Sequence, residues 1–336
     1  MKKKQKRRYR IRNWREYNAA LVGRGSLTVW LDEAVLSVWF EADKSGRRGA
    51  SRTYSATAIE AILLLKAVYH LPLRAAQGFV QSVLALLGLT LPVPHYSTLS
   101  RRQIGLELGF PVRKSQESLH LRHYIWWWTR RAARFTAKAS GRCEWKVRVH
   151  GTSKRRTWRA WRKLHLGVDE SSGEIVAAVL SSNDVTDGEA LPQLLEQVDE
   201  PIAQLSGDGA YDKRPCYHAL QGQQEKQGQS LKGCALKVTI PPRRGARIWQ
   251  HGNRQQERLA RDENLREIRR VGRKKWKQES GYHRRSLAET AMSRYKRIVG
   301  EKLRARDFYR QSTEAFVGVL MLNRMTALGM PDSYAV

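Results

Sequence analysis

The feature that most limits the fold is a change of hydrophobic period near Val147, followed by strand-like and helix-like segments that alternate as far as Ile240. Lys163–Asp169 and Glu174–Leu180 repeat with a period of two, which places neighbouring side chains on opposite faces of a sheet. Ser171-Ser172-Gly173 between them is turn chemistry, so the two segments read as an antiparallel hairpin. Trp145–Val149 reads as a further strand upstream. Thr186-Asp187-Gly188-Glu189 has capping-box spacing ahead of a helix over Leu191–Val198. A short strand ending at Leu205-Ser206, a helix after Tyr211 and a strand over Ala235–Ile240, closed by Pro241-Pro242, continue the series. Antiparallel strands followed by strands alternating with helices require a mixed sheet with helices packed on it, an α/β (mixed α+β) fold.

The N-terminal part follows a different period. Ser26–Leu31 reads as either a strand or part of a helix, and Gly46 to Gly49 as a basic turn. From Thr57 the apolar residues recur at three and four: Ile59, Ile62 and Leu63, then Ala76, Val80, Val83, Leu84 and Leu87. Gly88, Pro92 and Pro94 end that stretch, and Ser97-Thr98 starts a new helix with Arg101 and Arg102 in its first turns. Short helices with a basic last member resemble a helix-turn-helix bundle, with Arg101 and Arg102 as candidate DNA contacts; a plain helical core with a solvated basic face has the same pattern. Two domains are therefore expected, 1–115 helical and 116–336 sheet-based, the second carrying a basic insertion at about 243–277. Two helices, Arg285–Val299 and Thr313–Leu328, are expected at its end.

Charge narrows the partner. The formal net charge is +31, with a pI near 10.6, and a chain that repels itself so strongly calls for a polyanion. Nucleic acid is the expected partner and not a membrane, because apolar runs such as Ala61–Leu65, which stops at Lys66, fall far short of a membrane span. Cys143, Cys216 and Cys234 are widely spaced, which fits a reducing, cytoplasmic setting (on the nucleoid, for a DNA partner) and neither a zinc site nor a disulfide framework.

Two segments carry chemistry. Tyr282, Arg285, Glu289 and Lys296 have spacings that place them along one stripe of a helix, with a carboxylate between cations. Such a stripe can hold a metal beside phosphates, although Arg285 and Glu289 alone also make an ordinary surface pair at i, i+4. The second segment is Leu205-Ser206-Gly207-Asp208-Gly209-Ala210-Tyr211-Asp212. An acid at the C-terminal end of a strand points into the crevice where open sheets bind ligands, or else supplies turn chemistry; Asp212 reads as a helix cap.

Tyr282, Arg285, Glu289 and Lys296 match the Y-(2)-R-(3)-E-(6)-K signature of DDE transposases. Tyr282–Met292, Asp208–Asp212, Ile240–Arg243, Lys163–Leu166, Asn13-Trp14 and Tyr17–Val22 resemble the insertion-sequence-five family of bacterial transposases, so the similarity runs along nearly the whole chain. The resemblance implies an RNase H-like catalytic domain using two divalent ions, Mg2+ or Mn2+. Its substrates would be terminal inverted repeats and target duplex DNA, cut and joined by strand transfer, with a homodimer on paired ends. Asp208 and Glu289 would be the catalytic metal ligands, and Tyr282, Arg285 and Lys296 would position DNA phosphates.

The sequence departs from that pattern at one place. The family has a third acid on the first strand, in a Val-Val-Asp-Ser-Thr-Gly type of segment that belongs just after Ser118–Leu121. Here the chain has no Asp or Glu between Glu117 and Glu144. Because tryptophan has a single codon, Trp126-Trp127-Trp128-Thr129 must be encoded TGG TGG TGG ACN, which in another frame reads Val-Val-Asp. Residues 122–143 are thus read either as a frameshifted segment or as a native variant in which Tyr124–Trp128 form the buried strand. Glu144, Asp169, Asp184 and Asp187 are the substitutes by position; Asp169 and Glu170 end a different strand, and Asp184 and Asp187 read as turn and cap residues. The expected outcome is severe loss of catalysis with DNA binding kept, in either an impaired transposase or a dead DNA-binding remnant that competes with intact copies.

Overall fold

The computed structural model describes residues 9–42, 52–109, 122–127, 135–138, 159–230, 236–250 and 258–336. The expected strand Trp145–Val149, the turn Gly46–Gly49 and most of the 122–143 segment lie outside them. The chain divides into two compact units: 1–108 with 317–336, and 109–316. The last twenty residues, 317–336, cluster with the first unit.

The first unit begins with β1 (Tyr9–Ile11), α1 (Trp14–Gly23), α2 (Leu27–Trp30) and α3 (Glu33–Ser37). Ser26–Leu31, open between strand and helix in sequence, is thus helical at its centre. α4 (Ala56–Val68) buries seven residues all round its axis, because neighbouring helices cover it on every side; Ser55 caps it by accepting from the Ala58 amide at 3.0 Å. α5 (Leu73–Leu86) is one-sided, burying Ala76, Val80, Val83 and Leu84, and it meets α4 at 107°. α6 (Tyr96–Arg102) follows, its first amide taken by Gln77 Oε1 at 2.8 Å. Buried Trp30 and Trp39 donate their indole N–H to the carbonyls of Arg24 and Pro92, both at 2.9 Å, so neither is left with a buried unpaired donor.

The second unit is built on a six-stranded sheet of β2 (Arg122–Trp127), β3 (Phe135–Lys138), β4 (Arg159–Asp169), β5 (Ile175–Ser182), β6 (Ile202–Ser206) and β7 (Lys237–Thr239). β4 is the long strand: β5 pairs with it on one edge, and β3 and β2 pair with successive stretches of the other, all antiparallel. β6 then runs parallel to β2, and β7 parallel to β6. Ile125 is level with Ser206, so Trp127 stands two residues beyond that pair just as Asp208 does on the neighbouring strand. Ile175–Ser181 is buried at every position, the burial of a strand covered on both faces.

α7 (Asp187–Leu195) links β5 to β6, and α8 (Arg214–Ser230) links β6 to β7, both crossovers contributing to one apolar core with Val176, Ile202, Leu205, Val238 and Ile240. Gly188 lets α7 approach α8 closely, since a Cβ there would lie 2.9 Å from Cys216 Sγ. The basic insertion folds as α9 (Ala260–Val271) and α10 (Arg273–Glu279). α11 (Ser286–Ile298) packs on β2 and β4, and α12 (Phe308–Leu328) carries residues of both units. β8 (Ser333–Ala335) then returns to pair with β1, and Asn13 clamps the return through Met330 O and the Asp332 amide. Among the described residues no single helix is long and apolar enough to cross a membrane.

Candidate active site

Asp208 leaves the end of β6 in extended backbone and caps the short 3-10 turn Gly209–Tyr211, accepting from the Ala210 amide at 2.7 Å. Gly207 has little room for a side chain, with the Tyr211 ring 3.1 Å from where its Cβ would stand. Burial pushes the Asp208 carboxyl above its ordinary range, while the Ala210 amide and the charge of Arg285 pull it down.

Tyr282, Arg285, Glu289 and Lys296 do not form one helical stripe. Gly281, in the left-handed region at φ 75°, starts a 3-10 turn over Tyr282–Arg285, and only Glu289 and Lys296 lie on α11. The tighter turn rotates Tyr282 inward, where its side chain is buried under Lys277 and Arg285, 4.9 and 5.1 Å from the ring centroid. Burial raises the Tyr282 phenol; Arg285 opposes this, and both Asp208 and Glu289 add to it. The phenol therefore lies within electrostatic reach of both acids. Arg285 also serves both, holding Glu289 at 3.1 Å while its charge lowers Asp208. Lys296 pairs with Glu301 at 3.6 Å.

A residue that sequence did not single out ties this turn to the sheet. Gln204, buried on β6, donates its amide to Thr239 Oγ1 on β7 at 3.0 Å and to the carbonyl of Ser280 at 3.1 Å. One side chain thus fixes the strand that ends at Asp208 against the turn that carries Arg285. A polar residue flanked by apolar ones in the strand Ile-Ala-Gln-Leu-Ser was the signal available.

Asp212 and Asp187 differ from their sequence roles, whereas Asp169 ends β4 as expected. Asp212 is not a helix cap: it is a buried acceptor for Arg261 Nε at 2.7 Å and the Arg243 amide at 2.9 Å. Asp169 is wholly buried and accepts from the amides and hydroxyls of Ser171 and Ser172, which confines it to the hairpin turn. Asp187 is not the cap of α7, because Thr186 and Glu189 supply the capping box, with Glu189 Oε2 accepting from the Thr186 amide at 2.6 Å. Asp187 is instead buried, its Oδ1 3.9 Å from His165 Nδ1, and neither atom has a hydrogen-bond partner. Burial and the neighbouring Asp208 push the Asp187 carboxyl up to about 7, against Lys163 and Lys213. Burial and Lys163 hold the His165 imidazole down at about 4, and its Nε2 lies 2.9 Å from Ser181 Oγ. Between those two values both groups are neutral, so their contact is not an ion pair in that range.

The described residues do not fit a two-ion metal centre. Nowhere among them do three His, Cys, Asp or Glu side chains gather in a way that holds a metal ion. Asp208 has Asp187 within electrostatic range, yet the orphaned oxygen of Asp187 faces His165, and Glu289 is engaged by Arg285. In the first unit, Arg102 is committed internally, donating to Tyr54 O at 2.8 Å and lying 4.0 Å from Glu41, whereas Arg101 is exposed.

Residues 129–324 match a family described as the transposase DDE domain, and residues 22–122 match a second family of the same description. No solved structure matches the chain.

Proposed function

The chain belongs to the DDE transposase family, and from that premise we propose that it is a bacterial insertion-sequence transposase of the insertion-sequence-five type with an impaired catalytic centre. The order β5-β4-β2-β6-β7, with an antiparallel start and two parallel crossovers, supports an RNase H-like reading of the second unit. The α4–α6 helices support a helix-turn-helix reading of the first, with Arg101 reaching DNA and Arg102 bracing the bundle from inside.

The observation that carries the impairment is the register of β2 on β6. The strand beside Asp208 reads Arg-His-Tyr-Ile-Trp-Trp and brings no acid to the level of Asp208, where the family pattern has one. The family's divalent metal, Mg2+ or Mn2+, stabilises charge on the attacking and leaving oxygens when bound. With Asp208 and Glu289 as the remaining family acids, too few carboxylates remain to hold two such ions. In this reading Arg285, paired with Glu289 and stacked on the Tyr282 ring, would hold a DNA phosphate, and Lys296 would add a second cation farther along α11.

DNA binding rests on lysine and arginine and is independent of the missing acid. A dead remnant that occupies the terminal inverted repeats, alone or in a homodimer on paired ends in the nucleoid, follows from the same observation. Duplex binding measured against salt tests the reading: affinity for the element's own ends should fall steeply with salt. Absence of binding, or binding indifferent to salt, would contradict it.

A further inference from the structure

The loop after β7 and the start of α8 border an open cleft of about 460 Å3 lined by Asp212, Lys213, Arg243, Arg244, Trp249 and Arg261. Its floor is a buried network. Arg261 donates to Asp212 at 2.7 Å, to Asp262 at 3.1 Å and to the Arg247 carbonyl at 2.8 Å. Asp262 in turn accepts from the amides of Trp249 and Gln250, and Asp212 from that of Arg243. The two carboxylates thereby take up loop amides and the guanidinium a loop carbonyl, which together fix the backbone. Trp249 is clamped as well, with Arg261 3.7 Å from its ring centroid and Tyr217 against it edge-on.

Arg243 and Arg244 stand on that fixed base. The Ala246 amide donates to the Arg243 carbonyl at 3.1 Å and Gly245 alone of these residues has positive φ, +75°, which makes residues 243–246 a type II turn with Arg243 at its start and Arg244 at its tip. The acids below are consumed by Arg261 and backbone amides, so the cleft presents net positive charge and no free carboxylate. A rigid, cationic hollow whose acids are already paired suits holding an anion and not proton transfer.

We propose that this cleft binds a backbone phosphate of the DNA other than the one that reacts, through Arg243, Arg244 and Lys213. The proposal rests on the DNA-acting reading above. It makes the DGAYD-type segment two-sided: Asp208 faces the candidate active site, and Asp212 builds the floor of a phosphate clamp through Arg261.

The test is a methylphosphonate scan of a duplex carrying the element's end, with one backbone charge removed at a time, on the full-length chain and on Arg243→Gln/Arg244→Gln. Both arginines are exposed, so folding should be unaffected. The wild type should lose affinity at a position that the variant no longer senses, and the variant's salt slope should fall by roughly 0.9 for that one phosphate. An unchanged interference pattern in a variant that still binds the duplex overturns the proposal while leaving the DNA-acting reading intact. A wild type that fails to bind the duplex sinks both. Inorganic phosphate titrated by calorimetry should give no saturable binding. If it saturates the wild type but not the variant, with the scan unaltered, the cleft belongs to free phosphate and the DNA assignment is wrong.

Discussion

Replacing Arg261 by methionine keeps most of the side-chain volume and removes only the charge and its donors. In the native chain the side chain is 4% exposed, and Asp212 and Asp262, its two partners, are 2% and 0% exposed. The substitution leaves two buried carboxylates without a counter-ion and the Arg247 carbonyl without its donor. Breaking a buried pair in this way costs about 3–5 kcal/mol, far more than the net worth of the intact pair, because the desolvated charge left behind is uncompensated. At roughly 2–4 °C per kcal/mol for a unit of this size, the midpoint should drop by about 6–20 °C. The assay is equilibrium urea unfolding with thermal melting of the full chain, beside Arg270→Met, whose ion pair with Glu267 is solvent-exposed and whose loss should be undetectable. Arg261→Met/Asp212→Asn/Asp262→Asn should recover part of the loss, since the stranded charges are then gone. An Arg261→Met protein within about 1 kcal/mol of wild type, a limit well below the cost of an unpaired buried charge, would refute the argument.

Two further substitutions test the packing and electrostatics around α7. Asp187 is raised to about 7 in the folded chain from an unfolded 3.8, so the folded state binds more protons and wild-type stability falls, from this group, as pH rises from about 4 to about 7. Asp187→Asn measured in chelator should therefore gain on wild type across that window by up to about 4 kcal/mol and level off above it; a difference that is flat with pH contradicts the assignment. Gly188→Ala should destabilise by about 1–2 kcal/mol despite the better helix propensity of alanine, because the new Cβ meets Cys216 Sγ, and Cys216→Ala should relieve it. A Gly188→Ala chain as stable as wild type by urea unfolding would show that α7 can shift.

The parts of the fold set by local chemistry were legible in the sequence. The period-two runs around Ser171-Ser172-Gly173 became β4 and β5, and the acid after Leu205-Ser206 stands at the end of β6. What escaped depends on distant partners or on backbone detail. Spacing alone puts Tyr282 on the helix, because it cannot register that Gly281 starts a 3-10 turn and swings the ring inward. The capping box of Thr186 and Glu189 was legible, but the burial of Asp187 beside His165 depends on a partner on β4. Asp212 needs Arg261, forty-nine residues later, to explain its burial. Likewise 317–336 joins the first unit through contacts such as Asn13 with Met330, which no local pattern announces.

End cleavage in vitro, with magnesium or manganese and a duplex carrying the element's terminal repeat, tests the central claim most directly. Three proteins are compared: the chain as it stands, the chain with residues 122–143 replaced by the segment read in the alternate frame, and that repaired chain carrying Asp208→Ala. The account expects DNA binding by all three but cleavage only by the repaired protein with Asp208 intact, because the repair returns an acid to the strand beside Asp208. Robust cleavage by the unrepaired chain, abolished by Asp208→Ala, would contradict it and show that another acid already completes the centre.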